Sequence, residues 1–438
     1  MLGFERSTIC PIIKNSVMKS KLYMPILLAA AFAAVSPFLF SQQQANVIEI
    51  PGIDIESQLE WFTTNAASNT SYLIRLSDDV TIPPQTFILP RVRNVTLTIY
   101  GETPGQTIIP AEAGNLFLVG FGVTLILNGA ITLSGFDGND NELVHVNSGG
   151  TFIMNDTVTL SGNHGGGVAN WGEFTMHGGT ISGNSGALGA AGGVRNWGRF
   201  TMYGGEISAN SGGDGTEVLI GGSGGVFNAG TFTMHSGVIS GNSGGAGGGE
   251  DGSNRWGISG GTGGVNSSGT FIMHGGVISG NSGGQGYEGL WGGIGGVSNA
   301  GRFTMYGGEI ANNTHGGLGP GIDGSLWYGW EGISGVFTSG IFTLRGGQIS
   351  GTGAGGSVGV WSFRGGVPTA YGVFRITDGI VHGLYAQEAA LNASGALRIV
   401  GQVTTAHFGR FNNAGFFVSL GNLGDTDNTI HVEDGVLQ

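Results

Sequence analysis

Six segments of this chain superimpose without a gap, and they limit what it can fold into. They are GGVANWGEFTMHGGTISGN from Gly166, GGVRNWGRFTMYGGEISAN from Gly192, GGVFNAGTFTMHSGVISGN from Gly224, GGVNSSGTFIMHGGVISGN from Gly263, GGVSNAGRFTMYGGEIANN from Gly295 and SGVFTSGIFTLRGGQISGT from Ser334. In each, Val precedes Phe by six residues and Phe precedes Ile by seven. Val168, Phe174 and Ile181 therefore recur as Val194, Phe200 and Ile207, and so on to Val336, Phe342 and Ile349. The step from each Ile to the next Val varies instead: 13, 19, 26, 19 and 26 residues. A constant frame with one loop that absorbs every insertion is the behaviour of a stacked solenoid repeat.

Within the frame, Phe174 and Met176 alternate with Thr175 and His177, the period of a strand with one buried face. Val168 and Ile181 mark short flanking strands, and paired glycines such as Gly178 and Gly179 supply turns, often at positive φ. The chain holds 91 glycines in 438 residues. Collagen needs glycine strictly at every third position, which is absent, and a disordered segment lacks recurring large apolar residues. The expectation is an all-β, right-handed parallel β-helix with three strands per coil. Val123–Gly135 and Thr151–Asn163 read as earlier coils, and Val373–Ile376 and Leu397–Val400 as strands of degenerate later ones. Asn184, Asn242 and Asn281 follow the Ile strand, where stacked amides could bond from coil to coil, or where Asn simply suits a turn. Ser57-Gln58-Leu59-Glu60 has the form of a capping box. A short helix there, with Leu59, Phe62 and Ala66 on one side, would cover the open first coil.

The segmentation follows. Residues 1–41 read as a leader and signal peptide with its functional start at Met18, and residues 42–122 as the N-terminal cap and first coils. Residues 123–358 are the Gly-rich repeats, and 359–438 degenerate coils and a second cap. Lys19 and Lys21 precede an apolar run from Pro25 to Phe40, with a polar exit at Ser41-Gln42-Gln43-Gln44. The competing reading of that run is a retained membrane anchor. All three lysines, Arg6 and the only cysteine, Cys10, lie before residue 22, leaving 12 arginines against 28 carboxylates beyond it. Such a balance disfavours nucleic acid as a partner, and the remainder has no thiol chemistry. No membrane span is expected after the leader.

The GGV…GTFTM…GG.ISGN pattern resembles the Gly-rich repeats of right-handed β-helix surface proteins of bacteria. These are adhesin-like families similar to the polymorphic outer-membrane proteins and sharing the pectin-lyase-like fold. The resemblance covers most of the chain after Gln42. It implies an exported protein at the cell surface, in the medium or in the periplasm. Many such proteins carry a C-terminal membrane barrel, for which the residues after Gly359 are too few.

Candidate chemistry is sparse. Enzymes on this fold cluster carboxylates on a strand face, often beside Lys or Arg, and here the strand columns carry almost no Asp. Asp78-Asp79 reads as a solvated turn, scattered GxGxxG matches reflect glycine density, and Gly319–Leu326 resembles a single, isolated calcium nonapeptide. Two outward features stand out. One is the column after the buried Met: His177, Tyr203, His235, His274, Tyr306 and Arg345. It is a polar aromatic stripe, within which His235 and His274 are too few ligands for a metal. The other is the variable loop, which brings Trp256, Trp291, Trp327 and Trp330 together with Glu250, Asp251, Glu288, Asp323 and Glu331. Those tryptophans could form a platform for glycans or for proteins of a host or neighbouring cell, or fold back to close their own loops. The resulting expectation is a non-catalytic exported protein for adhesion or structural display, with no cofactor and no metal. The alternatives are a carbohydrate-active enzyme using Glu288, Asp323 or Glu331 as acid and base, and a plain structural spacer.

Overall fold

The structure is a computed structural model. It describes residues 47–102, 105–216, 220–248, 259–287, 292–317 and 332–350, and beyond them only the strands 358–361, 373–376, 380–387, 390–393, 397–405, 430–433 and 436–437. Each repeat lays down three short strands, for example Val168–Asn170, Glu173–Met176 and Thr180–Ser182. Each strand pairs in parallel with its equivalent one coil on, giving a parallel β-solenoid with three ladders. The Val ladder runs Val144↔Val168↔Val194↔Val226↔Val265↔Val297↔Val336. The Phe ladder runs Phe152↔Phe174↔Phe200↔Phe232↔Phe271↔Phe303↔Phe342. The Ile ladder runs Leu160↔Ile181↔Ile207↔Ile239↔Ile278↔Ile310↔Ile349. The earlier coils expected at Val123–Asn128, Ile131–Ser134, Thr151–Met154 and Thr159–Ser161 are present. Strands Val373–Ile376 and Leu397–Thr405 continue the ladders. There the parallel pattern changes, because Ile430–Glu433 lies antiparallel on Leu397–Ile399 and Val436–Leu437 antiparallel on it.

The alternation within each strand sends Phe and Met inward. From Phe152 to Phe342 the rings are at most 1% exposed. Neighbouring ring centroids are 4.6–5.1 Å apart and within 12° of parallel. Each such burial contributes roughly 1.5–3 kcal/mol, so the column can hold a cross-link-free solenoid together.

Two buried amide ladders run beside the apolar columns. In the first, Asn184 donates Nδ2 to Asn210 Oδ1 (3.0 Å), Asn210 to Asn242 (3.0 Å), Asn242 to Asn281 (2.8 Å) and Asn281 to Asn313 (2.9 Å). The same Nδ2 groups reach back one coil, as from Asn210 to Ile181 O (2.9 Å), so each amide joins three successive coils. The residues expected to stack after the Ile strand do so. The second ladder, at the end of the Val strand, is Asn170→Asn196→Asn228→Ser267, at 2.7, 2.7 and 3.0 Å. It resumes as Asn299→Thr338 (2.9 Å). At the break, the shorter Ser267 leaves Asn299 Oδ1 buried without a hydrogen-bond partner.

Glycine serves two separate purposes. The second residue of each GG turn has a positive φ, +87° at Gly205 for instance. At the base of the variable loop the reason is close approach. Gly222 N donates to Gly213 O, Gly245 N to Gly222 O, Gly261 N to Gly245 O and Gly284 N to Gly261 O (2.7–2.9 Å). Outgoing and returning arms of successive loops thus interleave, and a Cβ at Gly245 would lie 2.0 Å from Gly213 O.

A helix over Ile55–Asn65 precedes the coils and buries Ile55, Leu59 and Phe62. Its N-cap is Asp54, whose carboxylate accepts from Ser57 N at 2.8 Å, so Ser57 is a first-turn residue rather than the cap expected from the sequence. Asp supplies the stronger acceptor and the charge favoured at a helix N-terminus. The cap ring Phe62 meets Phe87 edge-on at 5.6 Å, tying the helix to the first coils.

Two stability outcomes follow. Phe232→Ala should cost about 3–5 kcal/mol in denaturant unfolding; a loss below about 0.5 kcal/mol would show that the Phe column is not the core. Ser267→Asn should bridge Asn228 to Asn299 and raise the unfolding midpoint by an amount worth about 1 kcal/mol, since an orphaned buried acceptor costs about 1–3 kcal/mol. An unchanged or lowered midpoint would mean that the break is already relieved.

Candidate functional site

The same backbone bond positions the residue after each inward Met, or after Leu344 in the last regular coil. His177 N donates to Met154 O, Tyr203 N to Met176 O, His235 N to Met202 O, His274 N to Met234 O, Tyr306 N to Met273 O and Arg345 N to Met305 O, all at 2.7–2.8 Å. With identical backbone in six coils, their side chains emerge at one edge in one direction. All six are exposed, Tyr203 by 50% and Tyr306 by 48%. They form one stack: His177–Tyr203 at 5.3 Å, Tyr203–His235 at 4.8 Å, His235–His274 at 5.0 Å and His274–Tyr306 at 5.0 Å, each within 11° of parallel. The Arg345 guanidinium closes the end, 5.6 Å from the Tyr306 centroid. Because the ring faces cover one another, the stack offers solvent its edges, a row of phenol and imidazole hydrogen-bonding groups.

Two residues earlier on each Phe strand, Thr175, Thr201, Thr233, Ile272 and Thr304 make a half-buried outward row. Beyond it stand Glu173, Arg199, Thr231, Thr270 and Arg302, the charged members exposed. This Thr and Ile row runs as a strip parallel to the solenoid axis, with the ring column along one side and Glu173, Arg199, Thr231, Thr270 and Arg302 along the other. Its Glu173 and Arg199 are 3.8 Å apart and open to solvent, a pair worth little.

Unlike groups converge at a different place, where the regular repeats begin. Glu142 accepts from Arg195 Nη1 at 2.8 Å across the small Ala169, and His145 Nδ1 lies 3.6 Å from its other oxygen. Trp171 stacks on His145 at 4.6 Å and on Trp197 at 4.4 Å, and Arg195 lies over Trp197 at 4.9 Å. Burial by itself raises the Glu142 carboxyl. His145, a backbone donor and the charge of Arg195 outweigh it, holding the group below its ordinary value. The result is an ionised carboxylate saturated by its neighbours, unsuited to donating a proton. This cluster was not foreseen; the tryptophan in two successive NWG segments was its only trace in the sequence.

Trp256, Trp291, Trp327, Trp330, Glu288, Asp323 and Glu331, like the leader and the nonapeptide-like Gly319–Leu326, lie outside the described residues. Asp78 and Asp79 are exposed, and Asp79 accepts from Thr107 N of the next coil at 2.7 Å, a structural bond between coils. Among the described residues no three His, Cys, Asp or Glu side chains cluster as a metal site, and no helix is long and apolar enough to cross a membrane. No protein-family model, curated protein or solved structure matches the chain.

Glu142 has a measurable signature. A carboxyl depressed by folding stabilises the fold above its unfolded value and loses that contribution as pH falls through the folded value. Glu142→Gln should therefore cost about 1.5–3 kcal/mol at neutral pH, as for a lost hydrogen bond to a charged group, with the gap to wild type closing below about pH 4. Paired melting curves between pH 3 and 7 measure it; a gap that stays constant with pH would contradict the assignment.

Proposed function

We propose that this chain is an exported, non-catalytic β-solenoid for adhesion or display at the cell surface, and that it holds an extended partner along the strip beside the rings. The observation that carries this is the exposed stack from His177 to Tyr306, in one register over five coils and closed by Arg345 on a sixth. Export rests on the basic-then-apolar leader, and the adhesin-like reading on the repeat pattern. In the sequence the loop tryptophans fall between the Ile and Val strands of the repeat, a different part of the unit from the stack. They form a second contact in this reading, supported by sequence alone.

Rings at this edge contribute little to the core, so they can be removed without unfolding the chain. Combined Tyr203→Ser, His235→Ser and His274→Ser should leave the unfolding midpoint within about 0.5 kcal/mol of wild type. Binding of the purified protein to intact cells or to an immobilised glycan panel should fall by at least tenfold. Unchanged binding in this variant, with loss in a Trp256→Ala, Trp291→Ala and Trp327→Ala variant, would move the contact to the loops. Unchanged binding in both would leave a structural spacer.

A further inference from the structure

We propose that the strip binds a linear glycan whose acidic groups are separated by uncharged sugar, laid along the solenoid axis; this rests on the reading above and adds the ligand class. The first argument is periodicity. Parallel pairing advances each rung by about 4.8 Å, and a partner that uses the same contact on successive rungs must itself repeat on that scale or a multiple of it. An extended polysaccharide does so, whereas the surface of a globular protein does not.

The second argument is the chemistry of the rows. Thr175, Thr201, Thr233 and Thr304 offer half-buried hydroxyls, and the exposed rings of His177, Tyr203, His235, His274 and Tyr306 run in the neighbouring row. Hydroxyl, phenol and imidazole groups both donate and accept, as a polyhydroxylated chain requires. No indole or phenol face is open along this row, so recognition here is by ring edge.

The third argument is charge. Beyond the leader the chain carries 28 carboxylates against 12 arginines, yet the strip reverses that balance. Exposed Arg199 and Arg302 stand on one side and Arg345 at the end of the other, against Glu173 alone. Glu206 and Glu309 begin the Ile strands, across the ring column from the strip. Between the rungs of Arg199 and Arg302 lie two with only Thr231 and Thr270 on that side. Cations at the ends of a neutral stretch fit acidic groups at wide intervals. A nucleic acid would set a phosphate against every part of that stretch, within a field that repels it.

The test uses the full chain and three probes: a hyaluronan octasaccharide with one carboxylate per disaccharide, its carboxyl-reduced neutral counterpart, and an oligothymidylate of similar length. The octasaccharide should bind at least tenfold more tightly than the neutral form. Arg199→Gln, Arg302→Gln and Arg345→Gln together should remove that difference without moving the unfolding midpoint. Equal binding of the charged and neutral forms, tighter binding of the oligothymidylate, or an octasaccharide affinity indifferent to the arginines would each overturn the inference. If no probe binds while the ring variant still loses cell binding, the ligand class is wrong and the strip stands. If the ring variant keeps cell binding, the strip itself falls.

Discussion

Hydrogen bonding between parallel strands fixes the step from coil to coil at about 4.8 Å, and nearly everything else in this molecule is a response to that step. A column of side chains repeating at that distance has to be compatible with itself. Phenyl rings are, because parallel displacement leaves them in contact, and the Phe152–Phe342 column shows centroid spacings of 4.6–5.1 Å. Amides are as well, since each carries both a donor and an acceptor. Asn184 to Asn313 therefore satisfy one another within a buried corner. Charges are not, and among the inward columns none is found in the described coils. The single break, Ser267, orphans the oxygen of Asn299 on the following coil.

The same step explains why the chain can vary in one place only. An insertion within a strand would shift the register of all three ladders and turn buried residues outward. At the Ile-to-Val corner the outgoing and returning arms are glycine and bond to each other, Gly213 to Gly222 to Gly245 to Gly261 to Gly284, regardless of what lies between them. The corner is sealed at its base, so from 12 to 25 residues can intervene between Ile and Val without disturbing the stack. The cost is tight space at the base: Ala190 is accommodated in the first loop, but a Cβ on Gly245 or Gly284 would lie about 2 Å from a carbonyl oxygen. The glycine content is thus chiefly a matter of space at this corner and of positive φ at the GG turns.

What could be read from the sequence follows from this symmetry. Strand positions, the three ladders, the amide ladder after the Ile strand and the outward ring column are all translations of one unit, and six copies make each position visible. Departures from the unit were not legible. Ser57 matches a capping box, but Asp54 is the better acceptor and lies three residues earlier. The Asn170–Asn228 ladder was in the repeat without a reason to single it out, because its neighbours include Ser267 and Thr338. The Glu142–Arg195 pair spans 53 residues and crosses Ala169, a contact that only a small residue at that one rung permits. Nothing in local spacing announces it.

Translational symmetry also bears on which kind of function such a surface can carry. Acid–base chemistry needs unlike groups brought together, one to give a proton and another to take it. A column that repeats every coil places like beside like, as in the run of rings from His177 to Tyr306. In the described residues a buried carboxylate, an imidazole and a guanidinium converge only where the repeat is degenerate, at Glu142, His145 and Arg195. There the carboxylate already has its partners and is held ionised by them. The regular face instead multiplies weak identical contacts along a line, and linked contacts reinforce one another when the partner is equally regular. A solenoid edge that keeps its ring column unbroken while its loops change in length presents one repeated set of groups along a line, which is the ground for the extended partner proposed above.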